Sequence, residues 1–291
     1  MAERIAFQSA GLKINGSIHL PPGMRPSEKR PAFMVLHGFG SNSSSSNCVL
    51  PCEMLAEWGY VALRFDFRGC GESEGKRANT ICLEQVEDAS AALSFLQTRP
   101  EIDPARIALV GSSFGAAVAV YTGGVDKRVA AVISSGGWGD GETKFRKQHA
   151  SPEAWKRFTD MMARGREERA RGKSIMVPRF DIVPIPEHLR GHLAKNSIME
   201  FTFDTVESMY NFRANEVVGK IAPRPLLLLH AANDSVTPTE QSIGLFQHAG
   251  KLTTELHLLN DVDHFMFSQE NTRVIALIRD WLAKYFPVQV R

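Results

Sequence analysis

The feature that most constrains the fold of this chain is a repeated alternation between short apolar runs and longer stretches with helical periodicity. Runs such as FMVLH and LLLLH are almost entirely apolar, which is typical of strands buried on both faces of a parallel sheet. Strand, helix and strand repeated in this order predict an α/β fold with a mainly parallel, doubly wound sheet.

Eight segments are predicted to be strands of this sheet. They are residues 4–9, 12–20, 32–37, 60–66, 106–110, 129–134, 225–230 and 255–259. The first two alternate polar with apolar residues around Gly11, as a half-exposed antiparallel pair does. Helical patterns fill most of the intervening stretches. They are residues 48–58, 81–97, 114–121, 239–249 and 272–285.

The stretch between the sixth and seventh predicted strands is too long for one crossover connection. It predicts a helical insertion at residues 137–223, which divides a main domain formed by residues 1–136 and 224–291. The insertion is rich in methionine and aromatic residues. Five of them are candidates for substrate contacts, with plain core packing as the alternative for each: Trp138, Phe158, Met162, Phe203 and Met209.

Composition excludes several classes of partner. The 34 basic and 32 acidic residues give a net charge of +2 without a basic tract, which argues against nucleic acid. The sequence has neither a signal peptide nor an apolar run of membrane-spanning length, so a cytoplasmic protein without membrane association is expected. The four cysteines form no C-x-x-C pair and are predicted to be free thiols. A homo-oligomer is compatible with this composition.

The pentapeptide Gly111-Ser112-Ser113-Phe114-Gly115 matches G-x-S-x-G directly after a predicted strand and at the start of a helix of small residues. A serine on such a sharp turn presents its hydroxyl outside the fold, and the glycines permit close backbone approach. The sequence therefore predicts Ser113 as a nucleophile. A second match, Gly71 to Gly75 around Ser73, opens no helix and carries two flanking carboxylates, so it is predicted not to be catalytic.

A nucleophilic serine needs an imidazole base, and the imidazole needs a carboxylate to orient it. Asp234 follows the seventh predicted strand and His264 follows the eighth, so both are expected at the same sheet edge as Ser113. Asp140, after the sixth strand, is the alternative carboxylate. His37, His230 and His257 lie in or next to strands and are predicted to be structural.

A transient alkoxide requires backbone N–H donors that point at the developing charge. The N–H of Phe114, immediately after the nucleophile, is the first predicted donor. The second is the N–H of Phe39, in the His37-Gly38-Phe39-Gly40 turn that follows the third predicted strand.

Five motifs occur in a fixed order along the chain: H-G-F-G at 37–40, D-x-R-G-x-G-x-S at 66–73, G-x-S-x-G at 111–115, H-x-x-x-D at 230–234 and the final His264. In this order they resemble the α/β-hydrolase family. The resemblance implies that Ser73 closes a structural loop. It also implies that the insertion is a cap that covers the site and selects the substrate.

No zinc, phosphate-loop or dinucleotide signature accompanies these motifs. The segment Glu187 to His192 places two histidines four residues apart, but leucine stands where a metalloprotease helix has its glutamate. The sequence therefore predicts neither a metal nor a cofactor.

Together these features predict a serine hydrolase that cleaves a carboxylic ester of a small to medium, apolar or aromatic molecule through an acyl-enzyme. Two alternatives remain open. One is a carbon–carbon bond or amide hydrolase that uses the same three residues, because this scaffold supports many reactions. The other is a ligand receptor that has kept the triad.

Overall fold

The computed structural model describes residues 2–250, 252–267 and 271–290. The strands in these ranges are β1 (Ala2–Ser9), β2 (Leu12–His19), β3 (Arg30–Leu36), β4 (Val61–Phe65), β5 (Ile102–Ser112), β6 (Val129–Ser135), β7 (Met176–Pro178), β8 (Glu200–Thr202), β9 (Leu226–Ala231) and β10 (Thr254–Leu259). The α-helices in the same ranges are α1 (Ser46–Glu57), α2 (Cys82–Gln97), α3 (Phe114–Val125), α4 (Gly141–Gln148), α5 (Pro152–Ala170), α6 (Arg179–Ile182), α7 (Phe203–Asn211), α8 (Glu240–His248) and α9 (Thr272–Tyr285).

The central sheet has eight strands in the order β1-β2-β4-β3-β5-β6-β9-β10. Strand β2 is antiparallel to both β1 and β4, whereas the remaining pairs, from β4 through β3, β5, β6 and β9 to β10, are parallel. The predicted mainly parallel eight-stranded sheet is therefore confirmed. Strand β5 begins at Ile102, earlier than predicted, because Ile102 pairs with Arg30 before a register shift brings Ile107 opposite Ala32.

Each face of the sheet buries its own apolar cluster. Leu109 of β5 lies in the cluster that includes α2 and α3, whereas the next residue, Val110, lies in the cluster that includes α1 and α9. This alternation follows from the two-residue period of a strand, whose successive side chains point to opposite faces. Both faces are covered, which explains why the central strands contain apolar runs such as FMVL and IALV with no polar alternation.

Helix α9 shows how local sequence supports this packing. The Asn271 side chain accepts a hydrogen bond from the N–H of Val274 at 3.1 Å and so caps the first turn. Val274, Ile278 and Trp281 recur at helical spacing and are all buried against the sheet. The helix therefore begins at a cap and presents one apolar stripe to the core.

The segment between β6 and β9 contains α4 to α7 and three 3₁₀ helices, Glu187–His192, Ala214–Glu216 and Val218–Ile221. It also contains a two-stranded antiparallel sheet, β7 with β8, which the expectation of a purely helical insertion did not include. Each of these strands has three residues, which is too short for a two-residue period to be recognised in the sequence.

Candidate active site

The carboxyl edge of the sheet brings Ser113, Asp234 and His264 together, although the chain separates them widely. The Nε2 atom of His264 is 2.8 Å from Oγ of Ser113. Its Nδ1 atom is 2.9 Å from Oδ2 of Asp234. Because a carboxylate can only accept, Nδ1 carries the proton of a neutral His264 and Nε2 is free to accept from the serine hydroxyl. This is the arrangement that activates a serine for nucleophilic attack.

Ser113 occupies a strained position between β5 and α3. Its φ of +56° and ψ of −116° lie outside the regions that residues with a Cβ readily adopt. The turn is held by the Ser113 N–H, which donates to the carbonyl of Ser135 at 2.8 Å. The hydroxyl is thereby directed away from the sheet and toward His264.

The two glycines of the G-x-S-x-G motif are required by close backbone contacts. A Cβ on Gly111 would lie 2.2 Å from the carbonyl oxygen of Gly115. A Cβ on Gly115 would lie 2.4 Å from the carbonyl oxygen of Leu36, on the neighbouring strand β3. These contacts are with backbone atoms that cannot move aside, so any side chain here would force the strand and helix apart.

The carboxylate of Asp234 accepts several hydrogen bonds. Its Oδ1 accepts from the N–H groups of Val236 at 2.8 Å and Thr237 at 2.7 Å. Burial alone would raise the pKa of Asp234, but the electrostatic interaction with His264 and hydrogen bonds from His230 and His264 outweigh it and hold that pKa well below its usual range. The carboxyl group is therefore ionised at neutral pH.

Two residues that support this geometry were not predicted. His230 was predicted to be structural only. Its Nε2 is 3.0 Å from the carbonyl of Thr237, and the same atom is also 3.3 Å from Oδ2 of Asp234. Asp263 is the residue immediately before His264 in the chain. Its Oδ1 accepts from the N–H of His264 at 2.7 Å and of Ser235 at 2.9 Å, which ties the two loops together.

The alternative carboxylate, Asp140, and the serine of the second motif match, Ser73, have other hydrogen-bond partners. Asp140 caps α4 by accepting from the N–H of Thr143 at 2.8 Å, and it pairs with Arg213 at 3.1 Å. Ser73 donates to the carbonyl of Asp66 at 2.5 Å and accepts from the N–H of Asn15 at 2.9 Å, so it closes a loop. Neither of them contacts His264.

Phe39 and Phe114, the two residues expected to supply N–H donors, both lie next to Ser113. Phe114 is the first residue of α3, so its N–H has no partner within that helix. The turn that contains Phe39 lies against the nucleophile, since a Cβ built on Gly38 would be 3.7 Å from Cβ of Ser113. The rings of Phe39 and Phe114 are also neighbours, with centroids 5.8 Å apart.

Ser113 and His264 open into a small cavity of about 50 Å³. The segment between β6 and β9 contributes six residues to its wall: Arg179, Val183, Ile185, His192, Leu193 and Ala194. The five predicted substrate contacts are not part of this wall. They are Trp138, Phe158, Met162, Phe203 and Met209, and each is at most 5% exposed within the main apolar cluster. These five residues pack in the core, which was the alternative given for each of them in the sequence.

The described residues contain no group of three or more histidine, cysteine or acidic side chains placed to hold a metal ion. The four cysteines are free and buried. Burial raises the pKa of Cys48, Cys70 and Cys82 to about 12, which leaves their thiols protonated and poor ligands or nucleophiles. Within the described ranges, no helix is long and apolar enough to cross a bilayer.

Residues 27–271 match the model of the family described as Serine aminopeptidase, S33. The chain belongs to this family. It is an α/β hydrolase, as the order of its motifs indicates. The match covers six of the eight strands of the central sheet, β3 to β6 with β9 and β10, and the segment inserted between β6 and β9.

Known relatives agree with this assignment along most of the chain. An uncharacterized 31.7 kDa protein of the traX-finO intergenic region of Escherichia coli is 26% identical over 267 residues, covering 88% of this chain and 92% of that protein. Thiohydrolase aneE of Aspergillus aculeatus is 28% identical over 267 residues, covering 81% and 78%. The crystal structure of the α/β hydrolase GrgF from Penicillium sp. sh18 superposes with a TM-score of 0.78 at 22% identity, covering 98% of this chain and 99% of that one.

Proposed function

We propose that this α/β hydrolase is a serine hydrolase that cleaves carboxylic esters through an acyl-enzyme. The observation that carries the proposal is the continuous hydrogen-bonded chain from Ser113 through His264 to Asp234, which ends in a cavity. A serine hydroxyl becomes a competent nucleophile when a neighbouring imidazole can take its proton.

In the first half of the reaction, Oγ of Ser113 attacks the ester carbonyl carbon and its proton passes to Nε2 of His264. The carbonyl oxygen becomes an alkoxide that the N–H groups of Phe39 and Phe114 stabilise. Each such donor contributes about 3 to 4 kcal/mol in comparable sites. The tetrahedral species then collapses, and His264 returns the proton to the departing alcohol while the acyl group stays on Ser113.

In the second half, a water molecule takes the place of the alcohol. His264 accepts a proton from the water as its oxygen attacks the acyl carbon, and the same two N–H groups stabilise the second alkoxide. Collapse breaks the bond to Oγ, and the proton on His264 returns to Ser113. The products are one carboxylic acid and one alcohol, and the enzyme is regenerated.

Residues 137–223 act in this proposal as a cap over a main domain formed by residues 1–136 and 224–291. The cavity of about 50 Å³ holds no more than a few water molecules and is far smaller than the pocket that a substrate needs. Substrate entry therefore requires the wall supplied by the cap, around Val183 and Leu193, to move outward. The lining that this wall provides is mostly apolar, which suits a small to medium apolar or aromatic substrate.

A thioester is the second candidate substrate. The relative from Aspergillus aculeatus is named a thiohydrolase, and a thiolate is a better leaving group than an alkoxide. The triad and the two N–H donors would serve both reactions without change. Comparing an oxygen ester with the thioester of the same acid on the purified enzyme separates the two.

The test uses p-nitrophenyl butyrate and the alanine variants of the two serines that match the G-x-S-x-G pattern. Ser113→Ala is expected to lower kcat/KM at least about 10³-fold, because the nucleophile is lost while the fold is kept. Ser73→Ala is the matched control and is expected to retain activity. Residual activity of Ser113→Ala above about 1% of wild type would refute the assignment.

A fluorophosphonate probe provides a second readout that needs no turnover. Mass spectrometry should locate the probe on Ser113, and Asp234→Asn should slow its attachment because His264 loses the carboxylate that orients it. A ligand receptor with an idle triad would instead show ligand-dependent thermal stabilisation with neither labelling nor turnover.

A further inference from the structure

The wall of the catalytic cavity contains a buried arginine that the proposed reaction does not use. Arg179, the first residue of α6, is only 3% exposed and lines the cavity together with Ser113 and His264. Burial lowers the pKa of Arg179 to about 10, so its guanidinium remains charged at neutral pH. A full positive charge therefore lies in the wall of the same cavity as the proposed nucleophile.

The protein supplies hydrogen-bond acceptors to only some of the N–H groups of the guanidinium. Nη1 donates to the carbonyl of Ile198 at 2.9 Å and Nη2 to the carbonyl of Phe39 at 2.6 Å. Arginine has five N–H donors, so these two bonds leave others to be matched. The buried Nε atom has no hydrogen-bond partner. An unpaired buried donor on a charged group is costly, and in native proteins such a group calls for an explanation.

Another buried arginine of the same chain has a carboxylate that neutralises its charge. Arg68, 8% exposed, makes an ion pair with the buried carboxylate of Asp88, with Nη2 and Oδ1 2.7 Å apart. Across the ranges that the structure describes, no acidic side chain forms such a pair with Arg179. The charge of Arg179 is thus left without the counterion that the fold supplies to Arg68.

A second polar group on the same cavity wall also lacks a partner. Asn47, in the first turn of α1, is 7% exposed, lines the cavity, and its Oδ1 accepts no hydrogen bond. An amide side chain can offer either its oxygen or its NH₂ to a ligand. Two unmatched polar groups from separate elements, α1 and α6, therefore border one cavity.

The carbonyl of Phe39, which Arg179 contacts, belongs to the residue whose N–H is the proposed oxyanion donor. The guanidinium is consequently within one residue of the point where the substrate carbonyl would be held. The same cavity wall also contains Val183, Ile185 and Leu193, whose apolar side chains suit a short methylene chain. This layout fits an acyl group that has an anionic terminus a few bonds from the scissile carbonyl.

We propose that Arg179 binds a carboxylate at the far end of the acyl group, so that the substrates are half-esters of short dicarboxylic acids. The planar fork of a guanidinium can bind a carboxylate through two parallel hydrogen bonds, and an incoming carboxylate would neutralise the buried charge. The inference rests on the proposed esterase function, and it specifies the substrate class of that same site.

The first experiment compares two esters that differ only in charge. Monoethyl glutarate has a terminal carboxylate, and ethyl 5-amino-5-oxopentanoate has the amide of the same shape in its place. Acid release in a pH-stat should give a kcat/KM for the anionic ester at least about tenfold above that for the amide. Arg179→Met should abolish this ratio, whereas Arg179→Lys should keep part of it because the charge remains.

The ratio separates ligand binding from a purely structural role of Arg179. A residue that only held the Phe39 turn would lower kcat for both esters equally and leave their ratio unchanged. The ratio of kcat/KM for the two esters can be measured on the wild type alone, so this comparison tests the inference even if Arg179→Met does not fold. Equal rates for the two esters in the wild type, with activity that depends on Ser113, would overturn the inference and leave the esterase proposal standing.

A binding measurement tests the inference without turnover. Calorimetric titration of the Ser113→Ala variant with monoethyl glutarate should show binding that is weakened at least about tenfold for the neutral amide ester. Adding Arg179→Met to Ser113→Ala should remove that difference. Equal affinity for the two esters would overturn the inference. If the wild type cleaves neither ester but Ser113→Ala binds the anionic one selectively, the esterase proposal fails while the carboxylate site stands.

Discussion

His230 and Asp234 lie four residues apart at the end of β9, and Nε2 of His230 is 3.3 Å from Oδ2 of Asp234 with both side chains buried. The same Nε2 is 3.0 Å from the carbonyl of Thr237, so it faces two acceptors and must carry the proton. Nδ1 then accepts from the hydroxyl of Ser242, with the two atoms 2.6 Å apart. His230 is thus a fixed donor that orients the carboxylate of the proposed triad.

Removing this donor should slow turnover without weakening substrate binding. His230→Leu is expected to lower kcat by about tenfold or more with KM nearly unchanged, because a hydrogen bond to a charged group is worth about 1.5 to 3 kcal/mol. His230→Gln, which keeps an N–H donor, should recover part of the loss. Steady-state kinetics with a p-nitrophenyl ester measures both. Equal losses in the two variants would show that His230 acts through packing alone.

The strained backbone of Ser113 predicts that the serine required for activity lowers the stability of the folded protein. Ser113→Gly should abolish activity and raise the free energy of unfolding by about 1 kcal/mol relative to Ser113→Ala, since glycine adopts a φ of +56° without steric cost. Urea unfolding of the two inactive variants measures the difference. A Ser113→Gly protein less stable than Ser113→Ala would mean that the turn stores no strain.

Lys144 predicts an unusual dependence of stability on pH. It is 2% exposed, its Nζ lies 4.1 Å from the ring centroid of Phe145, and burial lowers its pKa from 10.5 to about 7. Between these pH values the unfolded chain binds the proton and the folded protein does not. The free energy of unfolding should therefore rise by about 1.4 kcal/mol per pH unit from pH 7 toward pH 10.5. Below pH 7, Lys144 is charged in both states, and the full cost of burying its ammonium group lowers the stability of the folded protein.

Lys144→Met provides the comparison. At pH 7 the variant should be more stable than wild type by a few kcal/mol, because it removes the cost of burying an ammonium group. The difference should shrink as the pH is raised from 7 to 9, and urea unfolding at several pH values measures it. Parallel stability curves for the two proteins would contradict the assignment of this pH dependence to Lys144.

The close approach between β3 and α3 predicts a severe effect of one added methyl group. Gly115→Ala would place a Cβ 2.4 Å from the carbonyl oxygen of Leu36 and should destabilise the protein by about 1 to 3 kcal/mol or more while distorting the Ser113 turn. Gly191→Ala is the matched control, since nothing lies within 4 Å of its Cβ position. Thermal unfolding compares them, and similar melting temperatures would show that the Gly115 contact can relax.

The central sheet was predictable because its cause is local in the sequence. Residues such as Leu109 and Val110 are both apolar because both faces of β5 are covered, and this makes the strand visible without knowledge of its neighbours. Ser113, Asp234 and His264 were predictable for a related reason. Each follows a strand, and parallel strands end at one edge, so a linear order of motifs implies proximity in space.

The insertion was less predictable, because a methionine or phenylalanine in a helix looks the same whether it packs in a core or lines a pocket. Phe158 and Met162 pack into the main cluster, while the cavity wall comes from residues such as Arg179 and Leu193. Which side chains face the nucleophile depends on how α6 and the following turns lie over the sheet. That placement is set by contacts between distant parts of the chain.

Local sequence patterns account for the alternation of strands and helices and for the sharp turn at Ser113, since each depends on residues close to one another in the chain. The folded chain was needed to show that Asp263 joins the loops of Ser235 and His264 and that Arg179 is buried without a carboxylate partner in the described part of the protein. The physical reason is that burial and hydrogen-bond pairing of such groups are decided by neighbours far away in sequence, which no local pattern specifies.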